Sequence, residues 1–281
     1  MASVRIDDDG PVRSLTLCRP DELNTITVEL RDELGAALDQ ADHDPGVRVV
    51  LLRAEGRAFS AGFNLDMGTV AQDAEGRDRV WDSVADLQMI STFARTWAKL
   101  HEISKPTVAA VGGWCVAGGT DMVLNADLIL AGESARFGYP PARVWGTPEA
   151  PWGWIARLGL ERAKRYLFTG DEIPGPLAAE IGLVLECVPD DLLDARAMAL
   201  AQRIGRLPLN QLQMMKVLTN QVADEMYRPA ASRLLGCLFD GVARHTREGL
   251  DFVGVALGEG PMEAVRRRDE PFGDYAQRRR T

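Results

Sequence analysis

The loop from Gly138 to Trp154, GYPPARVWGTPEAPWGW, holds four prolines, three tryptophans, three glycines and a single acid, Glu149. No helical or strand period fits it, and a loop this apolar lies against something rather than in water. Glu149 is therefore either a stray surface charge, the common fate of a lone loop acid, or the acid of a site walled by Trp145, Trp152 and Trp154. Buried among them, a carboxyl would hold its proton more tightly, as a proton shuttle requires.

Two glycine turns could supply the rest of such a site. In RAFSAGFNLDM (57–67), Ala58, Ser60, Ala61 and Gly62 are small, so a ligand could approach the main chain. Taken alone, this is equally a tight strand-to-helix turn with Asn64 as a cap. The second turn, VGGWCVAGGTDMVL (111–124), runs from strand through glycines to helix, a layout that aims free backbone N–H groups at a negative charge. Gly113, Gly118, Gly119 and Thr120 have the spacing of a phosphate loop, but Gly119 stands where that loop needs lysine, which argues against nucleotide hydrolysis. What remains is a main-chain donor site with Asp121 in the first helical turn, where a carboxylate is also an ordinary partner of the helix dipole.

The elements that must position these turns are strands broken by small residues. VRSLTLCRP (12–20), VRVVLLRAEG (47–56), PTVAAVGG (106–113), ADLILAG (126–132) and GLVLECVP (182–189) are nearly continuous apolar runs, the pattern of strands buried on both faces. Helices are expected between them. Residues 28–41 place Leu30, Leu34, Leu38 and Ala41 on one face, with Thr27 as cap, and 80–103 is a longer helical stretch. After Pro189 the pattern is helical almost throughout: 191–205, 209–226, 229–244 and 246–257. The expectation is an α/β core over 1–190 and a helical region over 191–281 that docks rather than swings, because no flexible linker separates them.

Composition narrows the function. The chain has 281 residues, a net charge of −9 and 46% hydrophobic content, all within the globular range. The acidic balance argues against nucleic acid as a partner. No apolar run approaches a membrane span, and the acidic start lacks the apolar stretch of a signal peptide, so no membrane partner and a cytoplasmic location are expected. Cys18, Cys115, Cys187 and Cys237 are far apart and His43, His101 and His245 show no ligand spacing, so neither a disulfide framework nor a metal is expected. Lysine is confined to positions 99, 105, 164 and 216 while arginine is abundant, a composition that fits a GC-rich bacterial genome.

Taken in order, FSAGFNL, then KPTVAAVGGWCVAGGTDMVLNADLILAGESARFGYP, then RLGLERAKRYLFTGDEI and AAEIGLVLECVP closely resemble the crotonase (enoyl-CoA hydratase/isomerase) superfamily, over roughly residues 5 to 270. The resemblance implies a spiral of ββα units with a helical C-terminal region, assembled as a homotrimer or hexamer. It implies an acyl-coenzyme A thioester as substrate and no separate cofactor. It also implies two backbone donors for the thioester oxygen, Phe63 and Gly118, which would stabilise an enolate more than the ground state. The main chain near Leu23, Asn24, Ser60 and Ala61 would bind coenzyme A, with Arg19 or tail arginines of a neighbouring subunit near its phosphates. Trp114 and Trp145 would line the acyl pocket, unless they only pack the core.

Departures from the family pattern bear on the chemistry. Of the two glutamates that flank the reacting carbons in hydratases, the first falls at Asp121 and the second at Pro141. Asn64 replaces an aspartate. Some isomerases of the family carry their acid later in the same loop, after a proline, and Pro148-Glu149 matches that placement. Hydration of a 2-enoyl-CoA is the leading expectation on family habit. Double-bond isomerisation with Glu149 as proton shuttle is the runner-up, and a catalytically silent acyl-CoA-binding protein the reading from another class. A serine hydrolase is disfavoured, since neither Ser60 nor Ser134 lies in a GxSxG turn.

Overall fold

The structure, a computed structural model, describes residues 2–65 and 81–275. The last part of the expected helical region and residue 80 of the expected second helix lie outside the described residues.

Among the described residues, ten strands form two sheets. β1 (Val4–Asp9), β2 (Val12–Leu17), β3 (Val49–Ala54), β5 (Thr107–Val111), β7 (Leu128–Gly132) and β10 (Glu186–Val188) lie in that order in one sheet. β4 (Ala58–Ser60), β6 (Trp114–Val116), β8 (Arg136–Gly138) and β9 (Ile173–Pro174) form the other. The chain winds as a spiral. Each of β3, β5 and β7 enters the large sheet, and the short strand after it enters the small one. Pairings along both series are parallel. The mixed α/β spiral is the fold the sequence implies. The five apolar runs correspond to β2, β3, β5, β7 and β10, whereas β1 and the short strands of the second sheet had no sequence signal.

The continuous runs are explained by burial on both faces. In β3, Val50 and Leu52 join the main core while Val49 and Leu51 point the other way; in β5, Ala109 and Val111 oppose Val108 and Ala110. The main core is closed by α1 (Val28–His43) and α2 (Ser83–Glu102). On α1, Leu30, Leu34, Leu38 and Ala41 are buried as expected, and Thr27 Oγ1 accepts from Leu30 N at 3.2 Å. Burying each leucine stabilises the fold by ~2 kcal/mol. The remaining core helices are α3 (Gly118–Val123), α4 (Pro151–Leu158), α5 (Leu160–Thr169) and α6 (Gly175–Glu180).

Beyond residue 190 lie α7 (Leu193–Ile204), α8 (Leu209–Tyr227), α9 (Pro229–Arg244), α10 (Arg247–Glu259) and α11 (Pro261–Asp269). α7 covers the second face of the large sheet with Leu193, Ala197 and Ala201, so it completes the core although it follows Pro189. α8 and α9 pack on α4, and α9 also lies along α2. α10 and α11 pair and enclose Val144 and Trp145. The tail is thus docked on its own core. No helix among the described residues is long and apolar enough to cross a membrane. The four cysteines are free, Cys115 and Cys237 buried and the other two half-buried.

Candidate active site

The small sheet brings the two glycine turns together. β4 pairs with β6 through Ala58 and Trp114 and through Ser60 and Cys115. The turns that follow each strand therefore emerge side by side, at the C-terminal ends of parallel strands where ligands of α/β folds bind. Contact is close: a Cβ on Gly62 would stand 2.8 Å from Ala117 Cβ and 3.4 Å from Gly118 N. Gly62 also has φ +87, which a side chain would strain. Ile26 N donates to Gly62 O at 2.8 Å and Asn64 N to Ile26 O at 3.1 Å. This parallel bridge uses the groups on either side of Phe63 and leaves its own N–H out. Gly118 opens α3, where the first N–H has no helical acceptor. Among the described residues, neither Phe63 N nor Gly118 N donates to a backbone carbonyl. Ala117, just before Gly118, has φ 54 and ψ −128, a conformation that costs a non-glycine residue on the order of 1–3 kcal/mol and turns the chain sharply into the helix.

Asp121 and Glu149 meet below this point. The backbone N–H of Ala150 donates to Asp121 Oδ1 at 3.1 Å. Asp121 Oδ2 and Glu149 Oε2 are buried with no hydrogen-bond partner. Burial pushes Asp121 up to about 7, against the pull of the Ala150 and Glu149 backbone N–H groups. Burial raises Glu149 well above the usual carboxyl range, helped by the nearby charges of Asp121 and Asp240 and opposed by Arg244 and Trp97. The two acids differ in access. Glu149 lines the large cavity, while Asp121 lies behind it and is absent from the wall.

The cavity has a volume of about 1340 Å³, more than the roughly 1,000 Å³ at the upper end for drug-sized ligands. Phe63, Gly118, Leu23, Ala61, Trp114 and Trp145 all line it. Asn24 and Ser60 do not. Asn24 Nδ2 donates to Glu55 O and Ala58 O at 2.9 and 2.8 Å, and Ser60 Oγ donates to Asn24 O at 2.8 Å. These two side chains brace Leu23 and Ala61 from inside the fold rather than facing a ligand. Arg19 is also engaged elsewhere, with Glu22, Thr25 O and Thr27 Oγ1.

The expected tryptophan walls need correction. Pro151 starts α4, so the apolar loop becomes helical where no period was legible, and it turns both later tryptophans away from the cavity. Trp154 is fully buried in the main core, and Trp152 packs edge-on against His101 at 5.0 Å. Trp145 does face the cavity, 5.1 Å from the Phe252 ring, and Trp114 lies 5.8 Å from Tyr275. Pro141 also lines the cavity and brings no titratable group.

Several lining residues were not singled out from the sequence. Asp240 and Arg244 of α9 reach the cavity, Arg244 Nε donating to Asp240 Oδ2 at 3.2 Å. Burial raises Asp240 to about 6, with Arg244 opposing. Their i, i+4 spacing within the apolar stripe LLGCLFDGVAR was the available clue, since two charges there must either be paired or serve a site. Arg57 lines the cavity as well and makes no ion pair among the described residues.

The sequence profile of the enoyl-CoA hydratase/isomerase family matches residues 8–251. Among solved structures, an enoyl-CoA hydratase from Mycobacterium smegmatis superposes with a TM-score of 0.91 at 44% identity, covering 98% of this chain and 96% of that one. A mitochondrial Delta(3,5)-Delta(2,4)-dienoyl-CoA isomerase from Dictyostelium discoideum is 30% identical over 226 residues, 78% of this chain and 76% of the relative. A 2,3-dehydroadipyl-CoA hydratase from Escherichia coli is 30% identical over 210 residues, 73% of this chain and 77% of the relative. With its paired glycine turns, its spiral fold and these relatives, the chain belongs to the enoyl-CoA hydratase/isomerase family, within the crotonase superfamily.

Proposed function

We propose that the protein acts on an enoyl-CoA thioester and moves its double bond, with Glu149 as the proton carrier. The thioester oxygen sits between the N–H groups of Phe63 and Gly118. Removing a proton from the acyl chain leaves an enolate whose charge collects on that oxygen, where fixed donors stabilise it more than they stabilise the substrate. Glu149 takes the proton from one carbon and returns it to another. The observation that carries this reading is that Glu149 faces the cavity, while Asp121 is behind it and Pro141 is inert. One mobile proton suits a double-bond shift; holding and splitting a water needs two groups. Leu23 and Ala61 would follow the pantetheine arm, and Arg57 would meet a coenzyme A phosphate.

Hydration of a 2-enoyl-CoA is the second reading. It is favoured by the hydratase names of relatives and by Asp240, a second acid on the cavity wall. Turnover of 2-enoyl- and 3-enoyl-CoA panels in heavy-oxygen water separates the two. A shifted double bond without label supports isomerisation, and label in the product supports hydration. Binding without turnover would mean a silent acyl-CoA-binding protein and would overturn both.

A further inference from the structure

Helix α9 is seated directly on the loop that carries Glu149. A Cβ on Gly236 would fall 2.3 Å from Pro148 O and 3.1 Å from Glu149 Cα, so only glycine permits this approach. Gly236 O accepts the Thr147 hydroxyl at 2.9 Å, and Thr147 O accepts the Tyr139 hydroxyl at 2.8 Å. One and two turns onward, part-buried Asp240 and buried Arg244 join Glu149 on the cavity wall. Arg244 holds Asp240 at 3.2 Å and also pairs with Asp86 of α2. A buried ion pair is weak evidence for stability, because desolvation offsets most of its attraction. Its place here is better understood from what it faces.

We propose that Asp240 and Arg244 are positioning residues for Glu149: their ion pair holds the acid-bearing loop on the cavity floor and balances the charge that Glu149 gains and loses in turnover. Groups from each packed element act on this carboxyl through their charge or polarity: Asp121 from α3, Asp240, Arg244 and Cys237 from α9, Trp97 from α2, and Tyr139 from the segment after β8. Burial and the acids favour the protonated form; Arg244 and Trp97 favour the ionised one. Without Arg244 the carboxyl would stay protonated and could not act as a base. Without Asp240 the guanidinium, still held by Asp86, would act on Glu149 without that acid's opposing charge and hold it ionised, so it could not return a proton. The inference rests on the reading of Glu149 as proton carrier.

The test is a carboxyl titration that does not depend on turnover. Protein labelled with carbon-13 at glutamate side-chain carboxyls is titrated by NMR, and Glu149 is assigned by the signal lost in Glu149→Gln. Asp240→Asn should lower the Glu149 midpoint by about one pH unit, and Arg244→Gln should raise it by a similar amount or beyond the accessible range. Arg244→Lys should restore it to near wild type. A structural lesion would not move the midpoint in opposite directions in the two variants. Midpoints unmoved, or displaced in the same direction, overturn the proposal. Asp240→Asn keeps size and acceptor, so it decides the matter alone if Arg244→Gln loses the fold. If the midpoints move as expected while Glu149→Gln retains full activity, the proton-carrier reading fails and the charge balance stands.

Discussion

The backbone N–H of Ala150 donates to Asp121 Oδ1 at 3.1 Å, so the acid of one glycine turn holds the loop that presents the other acid to the cavity. That bond separates the roles of the two carboxyls. Asp121 has one oxygen committed to the loop and lies out of reach of the cavity, whereas Glu149 is on the wall. Glu149→Gln should therefore lower kcat by roughly 10² to 10⁴ with KM little changed, since shape and polarity survive but the proton does not. Asp121→Asn, which can still accept from Ala150, should lose less than tenfold. Steady-state kinetics of both variants on the same substrate check this. A dead Asp121→Asn beside a near wild-type Glu149→Gln would reverse the assignment.

Gly118 offers a test of the oxyanion donors, but proline alone would confound it. A Cβ at this position would stand 2.8 Å from Ile26 Cδ1 and 2.9 Å from Phe63 Cε2, so any side chain pushes on the opposite half of the site. The informative comparison is Gly118→Ala, which crowds but keeps the N–H, against Gly118→Pro, which crowds and deletes it. Proline is tolerated in the first helical turn, so the helix itself should survive. The proline variant should fall a further 10² to 10³ below the alanine variant in kcat, the effect of one lost donor. Equal activities in two folded variants, checked by circular dichroism, would remove Gly118 N from the mechanism.

Much of this site could be read from the sequence because its parts are local. Strand, glycines and helix are contiguous at 111–124, and Pro148-Glu149 stands out in a loop with no other acid. Continuous runs such as VVLL announced strands covered on both sides, and the cap at Thr27 followed from residue type alone. The second sheet was invisible because a strand of three residues, such as Ala58–Ser60, is too short to show a period. Trp152 and Trp154 were misplaced because Pro151 both ends the irregular loop and begins a helix, and proline composition alone suggests only the former. Asp240 and Arg244 were missed because their partners, Asp86 and the Glu149 loop, are remote in sequence and meet only when α9 docks.

The elevated carboxyls make a stability prediction with a definite sign. Asp121 titrates at about 7 in the fold, against an ordinary value of 3.8, because ionisation would place a charge in the buried floor. A group whose pKa is raised on folding stabilises the native state fully below its unfolded pKa, and that contribution is lost as pH climbs through the folded value. The window for Asp121 is therefore about 4 to 7. Asp121→Asn cannot ionise, so its Tm relative to wild type should be highest at pH 8 and should decline toward pH 5, with a span of a few degrees. Thermal unfolding at the two pH values measures it. A difference independent of pH would mean that water or rearrangement already solvates the ionised carboxylate.

The tail leaves an apolar surface that its own core does not cover, and this carries the assembly prediction. On α8, Met214, Met215, Val217, Leu218, Val222 and Met226 are exposed, and Leu234, Leu235, Phe239 and Val242 add to this on α9. Contiguous exposed apolar area of this kind marks association surfaces in soluble proteins. The same helices pack inward on α2 and α4, and Asp240 and Arg244 of α9 line the cavity beside Glu149, so this part of its floor is built within one chain. A homotrimer or hexamer is expected, with the exposed faces of α8 and α9 meeting neighbouring copies. Sedimentation velocity at micromolar concentration should show a species three or six times the 30.7 kDa chain. Leu218→Asp and Met226→Asp, placed on the exposed face, should shift that species toward the single chain by burying an unpaired charge in any interface there. Because that part of the floor is internal, the dissociated variants should still bind acyl-CoA. A wild-type protein that sediments only as one chain would show that these helices serve their own core alone.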